Sequence, residues 1–424
     1  MAYTKLFRPI KIGPVEIRNR IAMAPMNTLF SENNLGYVFG DQIPAYYAAR
    51  AKGGTGLIIT EAVITSKESA KFPAMASNPH LYNVSHIPGM TRIIEAIHAW
   101  GAKVFVQLIP HLGRQASRSY YTGEVPPAPS AIPYEVPPEN VSKGYAAWAR
   151  KVPGGEHLFH GEIPREMTIE EILQMEEDYA NSVTLAGMAG FDGVEIHAAH
   201  GYLLHEFLSP RSNQRTDLYG GTLENRMRFL LEITKKALAV RDRYFPEFAV
   251  TVSASADEHV SGGFTHDQMK IVVKNLANLG VDAFHLTDGS TREANKYTFP
   301  DRDGTMLEEA EGFKKTVSIP IITPSVHDPR MAEEALDKGR TDMISLGRQL
   351  LADPEWAIKV KEDRISDIVR CVRDNICLTR FRTAMPLRCS QNPNLGREQY
   401  MAEYWPPPVP RKGDVHLPKL KSRE

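Results

Sequence analysis

Apolar residues in this chain gather into eight short runs that alternate with stretches of helical periodicity. The runs are IAMAP from residue 21, GLIITEAV from 56, KVFVQLI from 103, GVEIHAA from 193, FAVTVSAS from 248, DAFHLTD from 282, IPIITPS from 319 and DMISLG from 342. Between them, the stretches starting at 90, 168, 222, 265 and 329 repeat apolar positions every three or four residues and read as amphipathic helices. Thr168, followed three residues on by Glu171, has the spacing of a capping box at the start of one of them. Strands that are apolar throughout belong to a parallel sheet covered on both faces. Eight strand–helix units then predict an α/β fold of the (β/α)8 TIM-barrel class. A doubly wound sheet is the competitor, but it usually has fewer strands, and no strand here leads into G-x-G-x-x-G.

Two stretches break the pattern. Residues 116–165 are rich in Pro, Gly and Tyr and follow the third strand, which places them on the rim where barrel loops shape pockets. The expected organisation is a barrel over 1–365 carrying that insertion, then a small C-terminal segment and tail over 366–424.

A formal net charge of −1 gives no electrostatic case for nucleic acid or an acidic membrane as partner. The N-terminus lacks the apolar core of a signal peptide. No apolar run reaches the length of a membrane span. A cytoplasmic protein is the expectation, with a homo-oligomer left open.

The fourth run continues as VEIHAAHGYLLHEFLSP, setting His197, His200 and Tyr202 just where a barrel strand meets its active-site face. A histidine pair can bind metal, although no acidic or thiol ligand lies nearby in sequence. It can also be structural. As a nucleophile–base pair it lacks a nucleophile. As two N–H donors it would hold an oxygen on which negative charge develops, while Tyr202 supplies a proton.

The segment from His197 to Ile233 resembles the Old Yellow Enzyme family of FMN-dependent barrels. So do LFRPIKIGPVEIRNRIAMAPM near the start, VQLIPHLGRQA and APSAIP further on, and SLGRQLLADPEW after the last strand. The resemblance covers residues 5 to about 398. It implies that His197 and His200 bind a substrate carbonyl and that Tyr202 protonates the carbon next to it after hydride arrives from the flavin. It further implies FMN held by the backbone of Ala24, Pro25 and Met26, with Asn27 near the ring's C4 carbonyl. Ala62 would follow the second strand, and Gln107 would bind the pyrimidine edge. Ser325, Gly347 and Arg348 would hold the phosphate, as amides and a guanidinium at a helix start can. Two positions depart from the family. Thr251 stands where relatives carry an arginine facing the flavin, and Asn27 where they carry Cys or Thr.

All three cysteines lie in CVRDNIC and PLRCSQNP, and larger family members place a [4Fe–4S] cluster at this point. The equivalent positions are Cys371, Asp374, Cys377 and Cys389, so an aspartate occupies one corner. A three-iron cluster or an aspartate-ligated cubane follows, since one hard oxygen ligand is tolerable though weaker than sulfur. A decayed site with three free thiols is the alternative.

The resemblance points to an ene-reductase acting on the C=C bond of an α,β-unsaturated carbonyl or carboxylic compound. The alternative is an amine dehydrogenase of the trimethylamine dehydrogenase kind, for which Asp288 after the sixth strand speaks. Relatives with the cluster continue into FAD- and NAD(P)-binding domains. Electrons are therefore expected from a separate electron-transfer protein through the cluster, or directly from NAD(P)H.

Overall fold

Strands with no polar face have to be covered on both sides, and the eight runs fold accordingly. The computed structural model describes residues 3–30, 38, 40–72, 75, 78–119, 122–137 and 159–408. A hairpin of β1 (Ile10–Ile12) and β2 (Val15–Ile17) leads into barrel strands β3 (Ile21–Met23), β4 (Leu57–Ile64) and β5 (Lys103–Ile109). A short parallel pair, β6 (Pro127–Ala128) and β7 (Arg165–Glu166), stands outside the barrel. The barrel resumes with β8 (Gly193–Ala198), β9 (Ala249–Ser255), β10 (Ala283–Thr287), β11 (Ile321–Pro324) and β12 (Met343–Leu346). These eight strands are parallel and close on themselves, β12 pairing with β3. Every residue of β4, β8 and β9 is buried. The expected (β/α)8 barrel is what forms.

The helical periodicity is equally well realised. Helices span Ile87–His98, Ile169–Ala189, Leu223–Tyr244, His266–Leu279 and Pro329–Asp337. Both bonds of the Thr168–Glu171 capping box are present, at 3.2 and 2.9 Å. That helix stops at Gly190, whose φ of 99° is open to glycine at no steric cost.

The β1–β2 hairpin plugs one end of the barrel. Its Ile12, Val15 and Ile17 pack with Ala22, Leu57, Phe105, Ala249 and Ala283 near the strand beginnings. The strand ends form the opposite mouth.

The rim insertion is pinned at its base, Pro127 pairing with Arg165 and Ala128 with Glu166. Its stretch 138–158 lies outside the described residues, so the expectation that it lines the pocket concerns residues not described. The C-terminal segment is fastened to the barrel. Leu387 N donates to Thr28 O, Cys371 N to Gln349 Oε1 and Asn392 Nδ2 to Leu351 O. Glu398 is buried against Arg50. No helix among the described residues is long and apolar enough to cross a membrane.

Candidate active site

His197 ends the inward face of β8, and the chain then turns sharply. His200 has φ 66° and Gly201 φ 77°, two successive left-handed residues. A Cβ on Gly201 would stand 2.5 Å from Gln115 Nε2 and 3.0 Å from Ser290 Cβ, so the turn requires glycine. The strained conformation of His200 is held by its neighbours: its N donates to Ser255 Oγ, and its carbonyl accepts from Gln115 Nε2 and Thr291 N. The turn folds three rings together. The His197 and His200 centroids lie 5.1 Å apart, and Tyr202 stands 5.4 Å from His197 and 6.2 Å from His200, edge-on to both.

The electrostatics fix the protonation states. Burial holds His197 well below the usual imidazole pKa, and the neighbouring imidazoles of His200, His285 and His205 act in the same direction. Burial pushes His200 down to about 3. Both are neutral imidazoles near pH 7. The Tyr202 phenol is raised by burial, partly offset by Thr291, Arg292 and Arg382, and so keeps its proton. His200 Nε2 is engaged with Thr287 Oγ1 at 2.9 Å, which leaves Nδ1 to a ligand. His197 Nδ1 is buried with no hydrogen-bond partner. A buried nitrogen of that kind costs free energy unless something fills its bond.

Asp288 is turned elsewhere. Its carboxylate binds His259 Nε2 at 2.6 Å and the amides of Asp257 and Gly289, and His259 stacks on Tyr297 at 3.7 Å.

Beneath the mouth runs a chain of polar side chains of which the sequence pointed only to Gln107: Gln107, Glu195, His285 and Ser345, each bonded to the next at 2.8 Å. Glu195 stands two residues before His197 on a strand, hence on the same inward face. A carboxylate inside an all-buried strand was the available signal. Thr251, level with Glu195 on β9, is fully buried and donates to Val194 O. It contributes no charge.

Residues 5–367 match the NADH:flavin oxidoreductase / NADH oxidase family. The chain belongs to this family. It is 37% identical over 415 residues to a protein described as NADH oxidase from Thermoanaerobacter brockii, covering 97% of this chain and 59% of the relative. It is 34% identical over 419 residues to a cinnamate reductase from Clostridium sporogenes, covering 94% of this chain and 59% of that relative. A histamine dehydrogenase structure from Rhizobium sp. 4-9 superposes with a TM-score of 0.79 at 28% identity, over 94% of this chain and 53% of that one. The chain thus spans somewhat over half the length of these relatives. As a member of the family it is a flavin-dependent oxidoreductase with an Old Yellow Enzyme-like barrel.

The mouth suits the FMN that the family name implies. Ala24, Pro25, Met26 and Asn27 leave β3 half-buried, with Ala24 N bonded to Leu346 O. Asn27 Oδ1 accepts from Ala62 N at 3.2 Å, joining two of the expected flavin residues directly. Gly347 sits close against Met26, where an added Cβ would meet Met26 Sδ at 3.3 Å. Ser325 is left-handed, with φ 62°, and its carbonyl accepts from Gly304 N. Arg348 begins a helix of only five residues. Its guanidinium reaches away from the helix start, donating to Asn375 Oδ1 at 2.8 Å and Pro300 O at 2.7 Å. The same arginine thus lies between the expected phosphate site and the cysteine segment.

Cys371, Cys377 and Cys389 are half-buried free thiols. Burial raises the Cys377 thiol to about 11; Arg348 lowers it, and the other two cysteines push it up. The three sulfurs are therefore close enough to feel one another's charge, with a guanidinium beside them. Gln391 N donates to Cys389 Sγ at 3.4 Å. Among the described residues no three His, Cys, Asp or Glu side chains close round a single ion. Asp374 does not join the cysteines: it is exposed, and its Oδ1 accepts from Ile376 N at 3.2 Å.

Proposed function

We propose that the protein is an ene-reductase that uses FMN to reduce the C=C bond of an α,β-unsaturated carbonyl or carboxylic compound. The observation that carries this reading is the buried, unpartnered His197 Nδ1 beside a neutral His200 and a protonated Tyr202. Bound FMN would supply hydride to the β-carbon. The two imidazoles hold the substrate's carbonyl oxygen and stabilise the negative charge that collects there. Tyr202 gives its phenolic proton to the α-carbon and is reprotonated from solvent. Gln107 and Asn27 would hold the ring, and Ser325, Gly347 and, once turned from Asn375, Arg348 would hold the phosphate.

The similarity to a cinnamate reductase supports this choice of substrate class. The histamine dehydrogenase likeness favours amine oxidation, but Asp288, which that reading needs in the pocket, is bound to His259 instead. The test is direct. Protein photoreduced under anaerobic conditions should be reoxidised by cinnamate, and an amine should leave the oxidised flavin spectrum unchanged. Bleaching by the amine with no response to cinnamate would overturn the proposal.

The pH profile of that reoxidation follows from the shifts. A depressed histidine pKa keeps the imidazoles neutral at any pH above it. A raised tyrosine pKa keeps the donor protonated until pH climbs past the ordinary phenol value. The rate should be flat from about pH 5 to about pH 9 and fall only on the alkaline side. A step near the ordinary histidine pKa in stopped-flow traces would contradict neutral imidazoles.

Cys371, Cys377 and Cys389 would hold three corners of an iron–sulfur cluster, with Asp374 at a weak fourth corner that it reaches only by giving up its bond to Ile376 N. Electrons would enter from NAD(P)H at the flavin or from a separate electron-transfer protein through the cluster. Anaerobically purified protein should contain iron and acid-labile sulfide, and Asp374→Cys should retain more iron on exposure to air. Protein purified without either element would dismiss the cluster.

A further inference from the structure

Four side chains span the barrel interior below the mouth, and no step described so far uses them as a unit. Gln107 (β5) donates Nε2 to Glu195 Oε1 (β8), Glu195 Oε2 meets His285 Nδ1 (β10), and His285 Nε2 meets Ser345 Oγ (β12). All four are buried, Glu195 and Ser345 completely. A carboxylate at that depth is tolerated only with a counter-charge or a full set of donors.

Elementary donor and acceptor rules then fix two orientations. Glu195 Oε1 accepts from Gln107 Nε2, so the amide turns its nitrogen to Glu195 and leaves Oε1 for a ligand. Glu195 Oε2 accepts likewise, so His285 Nδ1 carries a proton. Its Nε2 meets Ser345 Oγ, which can accept as well as donate. Within the eight barrel strands the basic residues are Lys103, His197 and His285. Lys103 is bound to Asp192 beside β5's N-terminal end, and His197 is held neutral by burial. Thr251 next to Glu195 supplies no charge. His285 is therefore the barrel-strand residue placed to set positive charge beneath the mouth.

We propose that Glu195 and His285 form a positioning and charge-setting pair for the flavin. Glu195 locks Gln107 so that its carbonyl oxygen faces a ring N–H of the cofactor, and His285 balances the negative charge that the ring gains on reduction. The proposal rests on the FMN reading of the mouth and adds the means by which this chain, with Thr251 on β9, steadies reduced flavin.

The experiment loads wild type, His285→Gln and Glu195→Gln with FMN, measures flavin content, and follows the midpoint potential in an anaerobic dye-coupled titration. His285→Gln should lower the potential, with the preference for reduced over oxidised FMN falling at least about tenfold. Glu195→Gln should raise it, because a negative charge is removed, and should weaken FMN binding because Gln107 is released. A purely structural network would lower melting temperatures without moving the two potentials in opposite directions. Should either variant fail to fold, Ser345→Ala removes only the Nε2 partner and should shift the potential in the same direction as His285→Gln, by less. Potentials that stay at the wild-type value, or that move together, overturn the proposal while the flavin site stands. Wild-type protein that takes up no FMN overturns both.

Discussion

Replacing Tyr202 by phenylalanine should slow reoxidation of the reduced protein by an enoate by about 10^2–10^4-fold, the usual contribution of a positioned proton donor. The ring itself would be preserved, with its edge-on contacts to His197 at 5.4 Å and His200 at 6.2 Å. The phenol's hydrogen bond with Thr291 is lost but the ring's volume is kept, so thermal stability should fall by no more than about 1 kcal/mol. Substrate affinity should change little, since the carbonyl oxygen is held by the imidazoles. The loss therefore belongs to the proton-transfer step, and the alkaline limb of the pH profile should vanish with the phenol. Stopped-flow measurement of the oxidative half-reaction separates these effects. An unchanged rate in Tyr202→Phe would mean that water delivers the proton and that the phenol is only a wall.

The second large effect concerns stability. Arg50 is fully buried in the helix Gln42–Lys52, and its Nη1 binds Glu398 Oε1 at 2.5 Å and Tyr46 O at 2.8 Å. Its Nε donates to Leu350 O at 3.2 Å, and the guanidinium lies 4.0 Å from the Tyr46 ring centroid. Arg50→Ala would leave the Glu398 carboxylate buried without a partner, at a cost of about 3–5 kcal/mol. Chemical denaturation should register that loss. Limited proteolysis should show the C-terminal segment cut first, because Glu398 is one of its fastenings. Removing both charges, as in Arg50→Met with Glu398→Leu, should recover most of the stability, since the penalty lies in the orphaned ion and not in the absence of the pair. A double variant as unstable as Arg50→Ala would locate the effect in packing instead.

The barrel could be read from the chain because each strand is covered on both faces, and a run such as GLIITEAV records that locally. The helices were legible for a similar reason: Thr168 and Glu171 cap their own helix within three residues. The clustering of the turn HAAHGY was also legible, since one stretch holds both imidazoles and the phenol. What escaped was whatever depends on residues far apart. Glu195 and His285 are ninety positions apart and become a pair only when β8 and β10 are set across one barrel. The helix Gln42–Lys52 carries Arg50 at a fully buried position, and its partner lies 348 residues further on. Asp374 shows the limit of spacing in a different way. Its spacing among the cysteines is regular, yet it is the left-handed Asn375 that follows which meets Arg348, while exposed Asp374 accepts from Ile376 N.

The hairpin plug at the strand beginnings has a kinetic consequence. Among the described residues Ile12, Val15 and Ile17 close that end, and the mouth is the opposite end, where the imidazoles and phenol lie. A nicotinamide that delivers electrons and an enoate that removes them would have to occupy the same opening in turn. For the proposed ene-reductase, double-displacement turnover, with each reactant competing against the other when in excess, is the rate law expected of a one-ended vessel.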